Sequence, residues 1–368
     1  MLIIPQIDRC LLCLTIIIIL SLISCKTDTS SDLVQNSILS ISGRTMGTSY
    51  HISYTDSTGI DYKKAIDSIL IRINQSVSTY IPSSTISRIN QDSIWKSVQL
   101  YQDGKYTNFQ KIQLALDTHF LRNYQTSKDV YVLTQGYFDP TVMPLVNYWG
   151  FGYKPKKAIT QIDSQRISDI IQFVGFDMWS ETITESQMDF VKPMGAQIDF
   201  SAIAKGYAVD IISHFLEKNN IQNYLVEIGG EVYCKGLKRP EQPWTIALSK
   251  PQTESAINDV QEALSVHAKG VASSGNYRNY YEVDGKMYGH EIHPETGYPE
   301  INDLLGVTVV ADNCMIADAY ATAFMIMGRE KAENAAEKLG KIEAIFFYSD
   351  NQGQIQKSLS SGFQQYLK

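Results

Sequence analysis

The chain has 368 residues, 44% of them hydrophobic and 19% charged, with a formal net charge of -7. That balance supports a packed core and excludes a disordered chain or one that spans a membrane many times. It also argues against nucleic acid as a partner, because phosphate-backbone binding needs clustered Lys and Arg and this acidic chain has no such block.

At the N-terminus, Arg9 precedes an apolar run from Cys10 to Leu20, which ends in Leu22-Ile23-Ser24-Cys25 before the polar stretch Lys26 to Gln35. Residues 1–24 read as a signal peptide, since the run is too short to cross about 30 Å of hydrocarbon comfortably. Leu-Ile-Ser-Cys resembles a bacterial lipobox, so Cys25 is the expected site of lipid attachment, with residues 25–36 as a tether. The plainer alternative is cleavage nearby that leaves Cys25 an unmodified thiol. Either way, only Cys234 and Cys314 remain in the folded part, which indicates small buried residues and no disulfide framework.

Further along, Ser37 to Tyr54 alternates like a strand, and Ala65 to Val77 has the periodicity of an amphipathic helix. The text predicts a second helix over Phe109 to Gln135, a short one over Ser164 to Val174, and a third over Ile203 to Asn219. An apolar strand, Asn223 to Ile228, follows. Turn-rich segments at Glu241-Gln242-Pro243, Ser274-Gly275-Asn276 and Asp284-Gly285 predict hairpins, and Cys314 to Met327 is an Ala- and Met-rich helix. Helices and strands thus alternate without a repeat, and residues 37–368 are expected to form one domain of the α+β class.

Four clusters combine small residues with polar groups that a plain core would not need. In Gly43-Arg44-Thr45-Met46-Gly47-Thr48 the two glycines allow close approach to a ligand, and a bulge or tight turn would need them equally. In Tyr137-Phe138-Asp139-Pro140, the residue before proline is held extended, so Asp139 either points into a cleft or begins a turn. In Asp199 to Asp210, Asp199 and Ser201 sit where a helix cap would, and a helix N-terminus offers free N–H groups to a phosphate. Lys205, one turn in, suits an anion or carboxylate, or simply the surface. The last cluster joins Ser273-Ser274-Gly275, the His290 to Gly297 segment and Ala317 to Thr322. Asp318 and Thr322 share one helix face there, and both are hard oxygen donors of the kind Mg²⁺ takes.

Taken in order, these segments resemble the ApbE family of FAD:protein FMN transferases. The resemblance is carried by Thr45-Met46-Gly47-Thr48, Ser78-Thr79-Tyr80, Phe138-Asp139-Pro140-Thr141, Ala204-Lys205-Gly206-Tyr207, Gly229-Gly230, Ser274-Gly275 and Asp318-Ala319 with Thr322, and it covers roughly residues 40 to 345. It implies a two-lobed α+β fold with FAD in the cleft between lobes. It also implies flavin or FAD contacts at Met46, Tyr80, Tyr137, Phe138, Asp139, Asp199, Lys205 and Ile292, and a Mg²⁺ site of the Ala202 carbonyl, Asp318 and Thr322. Ser273 stands where the family usually has Thr, Glu231 where it has Asp, and Ile81 where it has a short acidic residue.

The implied reaction is transfer of FMN from FAD to a Thr or Ser hydroxyl of client redox proteins, with AMP leaving and His290 and Asp318 as the catalytic residues. The implied location is the bacterial envelope, periplasm-facing and held by the lipid anchor. Two competing readings are a Mg²⁺-dependent FAD pyrophosphatase, with water as acceptor, and a non-catalytic FAD-binding lipoprotein.

Overall fold

Strict alternation along Thr48–Asp56 turns Tyr50, Ile52 and Tyr54 inward and leaves the residues between them at least partly exposed, which is the signature of a strand with one covered face. This strand (β2) belongs to the larger of two main sheets in a computed structural model that describes residues 37–368, apart from 93–94, 103–104, 155–160, 250–259, 277–279 and 284–285. The signal peptide, Cys25 and the tether lie outside the described residues. Among the described residues no helix is long and apolar enough to cross a membrane.

The large sheet joins β1 (Ser37–Thr45), β2, β7 (Tyr224–Ile228), β8 (Glu231–Lys235), β13 (Lys269–Gly275), β16 (Leu304–Ala311), β17 (Ile342–Ser349) and β18 (Ile355–Leu359) in that spatial order. From β2 onward each pairing is antiparallel. Its inner strands alternate apolar residues between two cores: Ala272, Val309 and Phe346 join one, and their neighbours Val271, Val310 and Ile345 join the other. Helices α6 (Ala204–Lys218), α7 (Cys314–Met327) and α8 (Arg329–Leu339) cover the first face. The second face is closed by Trp244 and by Leu248 and Leu264 from the ribbon of β11 (Thr245–Ser249) and β12 (Val260–Ser265) that follows it.

A second lobe is built on the four-stranded sheet β3 (Lys96–Gln102), β4 (Lys105–Ala115), β6 (Gln187–Pro193) and β5 (Ser180–Ile183), in the order β3-β4-β6-β5. Helix α3 (Thr118–Leu133) lays Phe120 and Tyr124 on Phe190, at ring separations of 5.6 and 4.9 Å. Helices α1 (Lys63–Val77) and α2 (Thr85–Ile89) complete the inner core, which runs through both lobes. Helices α4 (Met143–Tyr148) and α5 (Ser164–Ile171) form a separate cluster with Ile292, tied by the Trp149 indole donating to the Gly297 carbonyl at 2.8 Å. The fold is therefore mixed α/β and two-lobed.

Several expected boundaries need correction. The helix predicted over Phe109 to Gln135 is two elements, because Ile112 and Leu114 alternate as in a strand and Asp117, accepting from Phe120 N at 3.0 Å, starts the helix only afterwards. Ser37 to Tyr54 is two strands that turn at Met46 and Gly47, both at positive φ. Gly43 answers to packing, since a Cβ there would lie 2.5 Å from the Tyr50 ring. Ser274 and Gly275 prolong β13 instead of turning. The other hairpins are present: β9 (Leu237–Arg239) pairs with β10 (Gln242–Pro243), and β14 (Tyr280–Val283) with β15 (Lys286–Gly289), the Asp284-Gly285 turn lying outside the described residues. Cys234 and Cys314 are buried free thiols.

Candidate functional site

Two tight turns lie side by side between the lobes. Asp139 Oδ1 accepts from Thr141 N at 2.7 Å and from its hydroxyl at 2.6 Å, and Asp199 Oδ1 accepts from Ser201 N at 3.1 Å and its hydroxyl at 2.9 Å. The two segments are tied by Asp199 N donating to Pro140 O at 2.8 Å. Asp199 and Ser201 therefore do not cap α6, whose N-cap residue is Ile203 without a side-chain bond. Both turns border a cavity of about 410 Å³ that is also lined by Phe138, Ala202, Lys205, His290, Ile292, Asp318 and Thr322. Burial pushes the Asp139 carboxyl up to about 6, against the opposing hydrogen bonds from Thr141.

This raised value sets a pH dependence. A carboxyl held above its unfolded value of 3.8 binds its proton more tightly when folded, so its contribution is present below about pH 4 and lost as pH rises through about 6. Asp139→Asn keeps an acceptor for Thr141 and should remove about 3 kcal/mol of that decline. Urea midpoints across this pH range, without nucleotide, test it; an unchanged slope would count against the assignment.

A buried charge cluster forms the cavity floor. Lys205 Nζ lies 2.5 Å from Glu231 Oε1 and 3.7 Å from Asp318 Oδ1, and all three side chains are largely covered. Burial alone would lower Lys205, but the carboxylates of Asp318 and Glu231 outweigh it and hold the ammonium above the ordinary lysine range. Burial raises the Glu231 carboxyl against the pull of Lys205. Its second oxygen, Oε2, is buried without a hydrogen-bond partner.

The helices that carry this cluster close each other's first turns. Gly206, third in α6, has an N–H with no partner inside the helix, and Asp318 Oδ2 of α7 accepts it at 2.9 Å. In return Asp210 of α6 accepts from Cys314 N at 2.8 Å and Met315 N at 2.9 Å, the open end of α7. Burial pushes the Asp210 carboxyl up to about 7, with the two N–H bonds opposing. The approach needs glycine, because a Cβ on Gly206 would sit 2.3 Å from the Cys314 carbonyl oxygen.

A second cavity of about 590 Å³ adjoins the first and shares Ser201 and Lys205 with it. It is lined by Met46, from the β1–β2 turn, and by Tyr80, which is 66% exposed. Tyr137 lines neither cavity: its hydroxyl takes a hydrogen bond from Lys331 Nζ at 2.5 Å and its ring packs 5.3 Å from His293. His290 Nδ1 stands 3.4 Å from Glu291 Oε2 without forming a hydrogen bond.

The family model described as "ApbE family" matches residues 46–346, which takes in both cavities and the crossed helices. The chain belongs to the ApbE family. It is 34% identical over 348 residues to a protein of Haemophilus influenzae named FAD:protein FMN transferase, covering 93% of each chain. An Escherichia coli protein of the same name is 31% identical over 89% of this chain and 88% of its own. Among solved structures, flavin transferase ApbE from Vibrio cholerae superposes with a TM-score of 0.76 at 33% identity, covering 90% of this chain and 99% of that one. Pseudomonas stutzeri flavinyl transferase ApbE gives 0.74 at 28% identity, covering 90% and 97%.

Within this ApbE-family chain, no group of three or more His, Cys, Asp or Glu is placed to hold a metal among the described residues. The donors that do converge are of mixed type: the Asp318 carboxylate, the Thr322 hydroxyl one turn on, and Ala202 in the turn before α6, all bordering one cavity. Thr322 makes no side-chain hydrogen bond among the described residues. Asp318 and Glu231 both face the Lys205 ammonium, and the buried Glu231 Oε2, which has no hydrogen-bond partner, adds a further hard oxygen at the cavity. The residues present therefore fit Mg²⁺. Glu231 and Asp210 join the site without a role that the sequence alone assigns. The signal for Glu231 was an acid straight after Gly229-Gly230 at a strand end, whereas nothing local marks Asp210.

Proposed function

We propose that the chain moves FMN from FAD to a Thr or Ser hydroxyl of a client redox protein and releases AMP, with Mg²⁺ as cofactor. The observation that carries this reading is the junction of two cavities at Lys205, beside Asp318 and Thr322. A dinucleotide laid through both has its pyrophosphate at the cationic, oxygen-rich junction and its two ends on either side. Met46, Tyr80, Phe138, Asp139, Asp199 and Ile292 line the walls available to the flavin and adenosine parts. Domain and location follow the same reading: residues 1–24 as the signal peptide, Cys25 as the lipidated residue on a 25–36 tether, and 37–368 as the transferase domain in the envelope.

In the reaction the acceptor oxygen bonds to the FMN-side phosphorus, the bond from that phosphorus to the AMP oxygen breaks, and the acceptor proton passes to a base. Lys205 holds the pyrophosphate, fixed in turn by Glu231. The Ala202 carbonyl, Asp318 and Thr322 would hold Mg²⁺, which would supply positive charge near the transferring phosphate. His290 is the base, placed in the same cavity with Nδ1 making no hydrogen bond and Glu291 Oε2 3.4 Å away.

The test is co-expression with candidate envelope redox subunits, followed by mass spectrometry for an FMN adduct on Thr or Ser. Purified enzyme with FAD and Mg²⁺, with and without acceptor, separates transfer from hydrolysis. His290→Ala should slow transfer about 100-fold while FAD still binds. Full transfer by that variant would remove His290 from the mechanism.

A further inference from the structure

The β7–β8 hairpin ends short of its neighbour. β8 pairs with β13 only over Lys269–Val271, whereas β13 continues against β16 as far as Gly275. Gly229 and Gly230, both at positive φ, turn the hairpin back. Ser273 to Gly275 thus run past its tip with one backbone edge lacking a strand partner among the described residues.

That overhang borders a third cavity of about 260 Å³. Its opposite wall includes Ile246, Ala247, Leu248 and Ser249, four consecutive residues of β11. Side chains alternate across a strand, so four in succession can line a space only if the strand's edge borders it. β11 pairs with β12 alone among the described residues, which leaves this edge open too. Gly229 and Ser273 to Gly275 line both this cavity and the cavity of Lys205, His290 and Asp318, so the two adjoin along the end of β13.

We propose that this groove receives the acceptor protein as an extended segment, which adds to the open strand edges by main-chain hydrogen bonds and brings its Thr or Ser hydroxyl to the transfer site. The inference rests on the flavin-transfer reading and names the form in which the partner is bound. An extended peptide presents N–H and C=O groups at the spacing an open edge requires, and pairing of this kind is a known mode of peptide capture. A nucleotide fits less well, because no charged side chain lines the groove to meet its phosphates. The hydroxyl arrives beside His290, which takes its proton as the bond to phosphorus forms and AMP departs.

The test uses a short synthetic peptide centred on the FMN-bearing residue of the client found by co-expression, with two further versions N-methylated on alternate backbone nitrogens. Ala247→Trp, at an exposed position on the β11 edge, should raise KM for the peptide at least about tenfold and leave the affinity for FAD, read by flavin fluorescence, as in the wild type. Each methylated version should be a much weaker acceptor than the parent, since successive N–H groups face the two edges in turn. The proposal is overturned if Ala247→Trp weakens FAD binding, if both methylated peptides react like the parent, or if the whole client is modified and the peptide never is. If the wild type puts FMN on no client at all, the failure is of the flavin-transfer reading, and the groove assignment falls with it.

Discussion

Asp318→Asn should slow flavin transfer roughly 1000-fold, the upper end of what one charge-stabilising group contributes, while the protein still folds and binds FAD. Asparagine keeps a carbonyl oxygen to accept from Gly206 N, so the contact between α6 and α7 survives. The negative charge is what disappears. With it goes the carboxylate proposed to hold Mg²⁺ and one of the two acids that hold Lys205 charged. Single-turnover rates at saturating Mg²⁺, alongside flavin fluorescence for binding, separate the two roles of the residue. A transfer rate within tenfold of wild type would reduce Asp318 to a helix cap.

Gly206→Ala should destabilise the protein by about 3 kcal/mol, although alanine is ordinarily the better helix former by about 1 kcal/mol. The sign reverses because the added Cβ would meet only backbone: Cys314 O at 2.3 Å, Cys314 C at 2.7 Å and Met315 Cα at 2.8 Å. No flexible side chain can swing away, so α7 itself has to move. Asp318 and Thr322 then move relative to Ala202, and the Mg²⁺ concentration needed for half-maximal transfer should rise with the loss of stability. Thermal melting gives the first outcome and a metal titration the second. A melting temperature equal to or above that of the wild type would show that the helices tolerate a wider separation.

How far the sequence discloses all this depends on the reach of each interaction. The helix Cys314–Met327 is read to the residue because its limits are local: Asn313 accepts from Ile316 N at 2.9 Å, and Gly328 at φ 74 ends it. The stretch from Phe109 to Gln135 misleads because an apolar strand and a helix stand two residues apart, and only the period of burial separates them. In the site, residues with a motif around them converge as expected, with Asp139, Asp199, Lys205, His290, Ile292, Asp318 and Thr322 at one cavity. Tyr137, adjacent to Phe138 in the chain, lines neither cavity; its hydroxyl takes a hydrogen bond from Lys331 and its ring packs on His293. Glu231 and Asp210 carry no legible role because their partners lie 26 and 104 residues away, at separations that spacing does not encode.

The crossed caps also govern when the site comes into being. Gly206 and Asp318 are 112 residues apart, and Asp210 reaches 104 residues forward to Cys314. A growing chain that has not yet reached Cys314 leaves α6 without its partner and the cavity without a wall. Contacts of such long sequence separation form late and slowly. Nucleotide capture at this cavity therefore waits for the last seventh of the polypeptide, from Cys314 on, to dock.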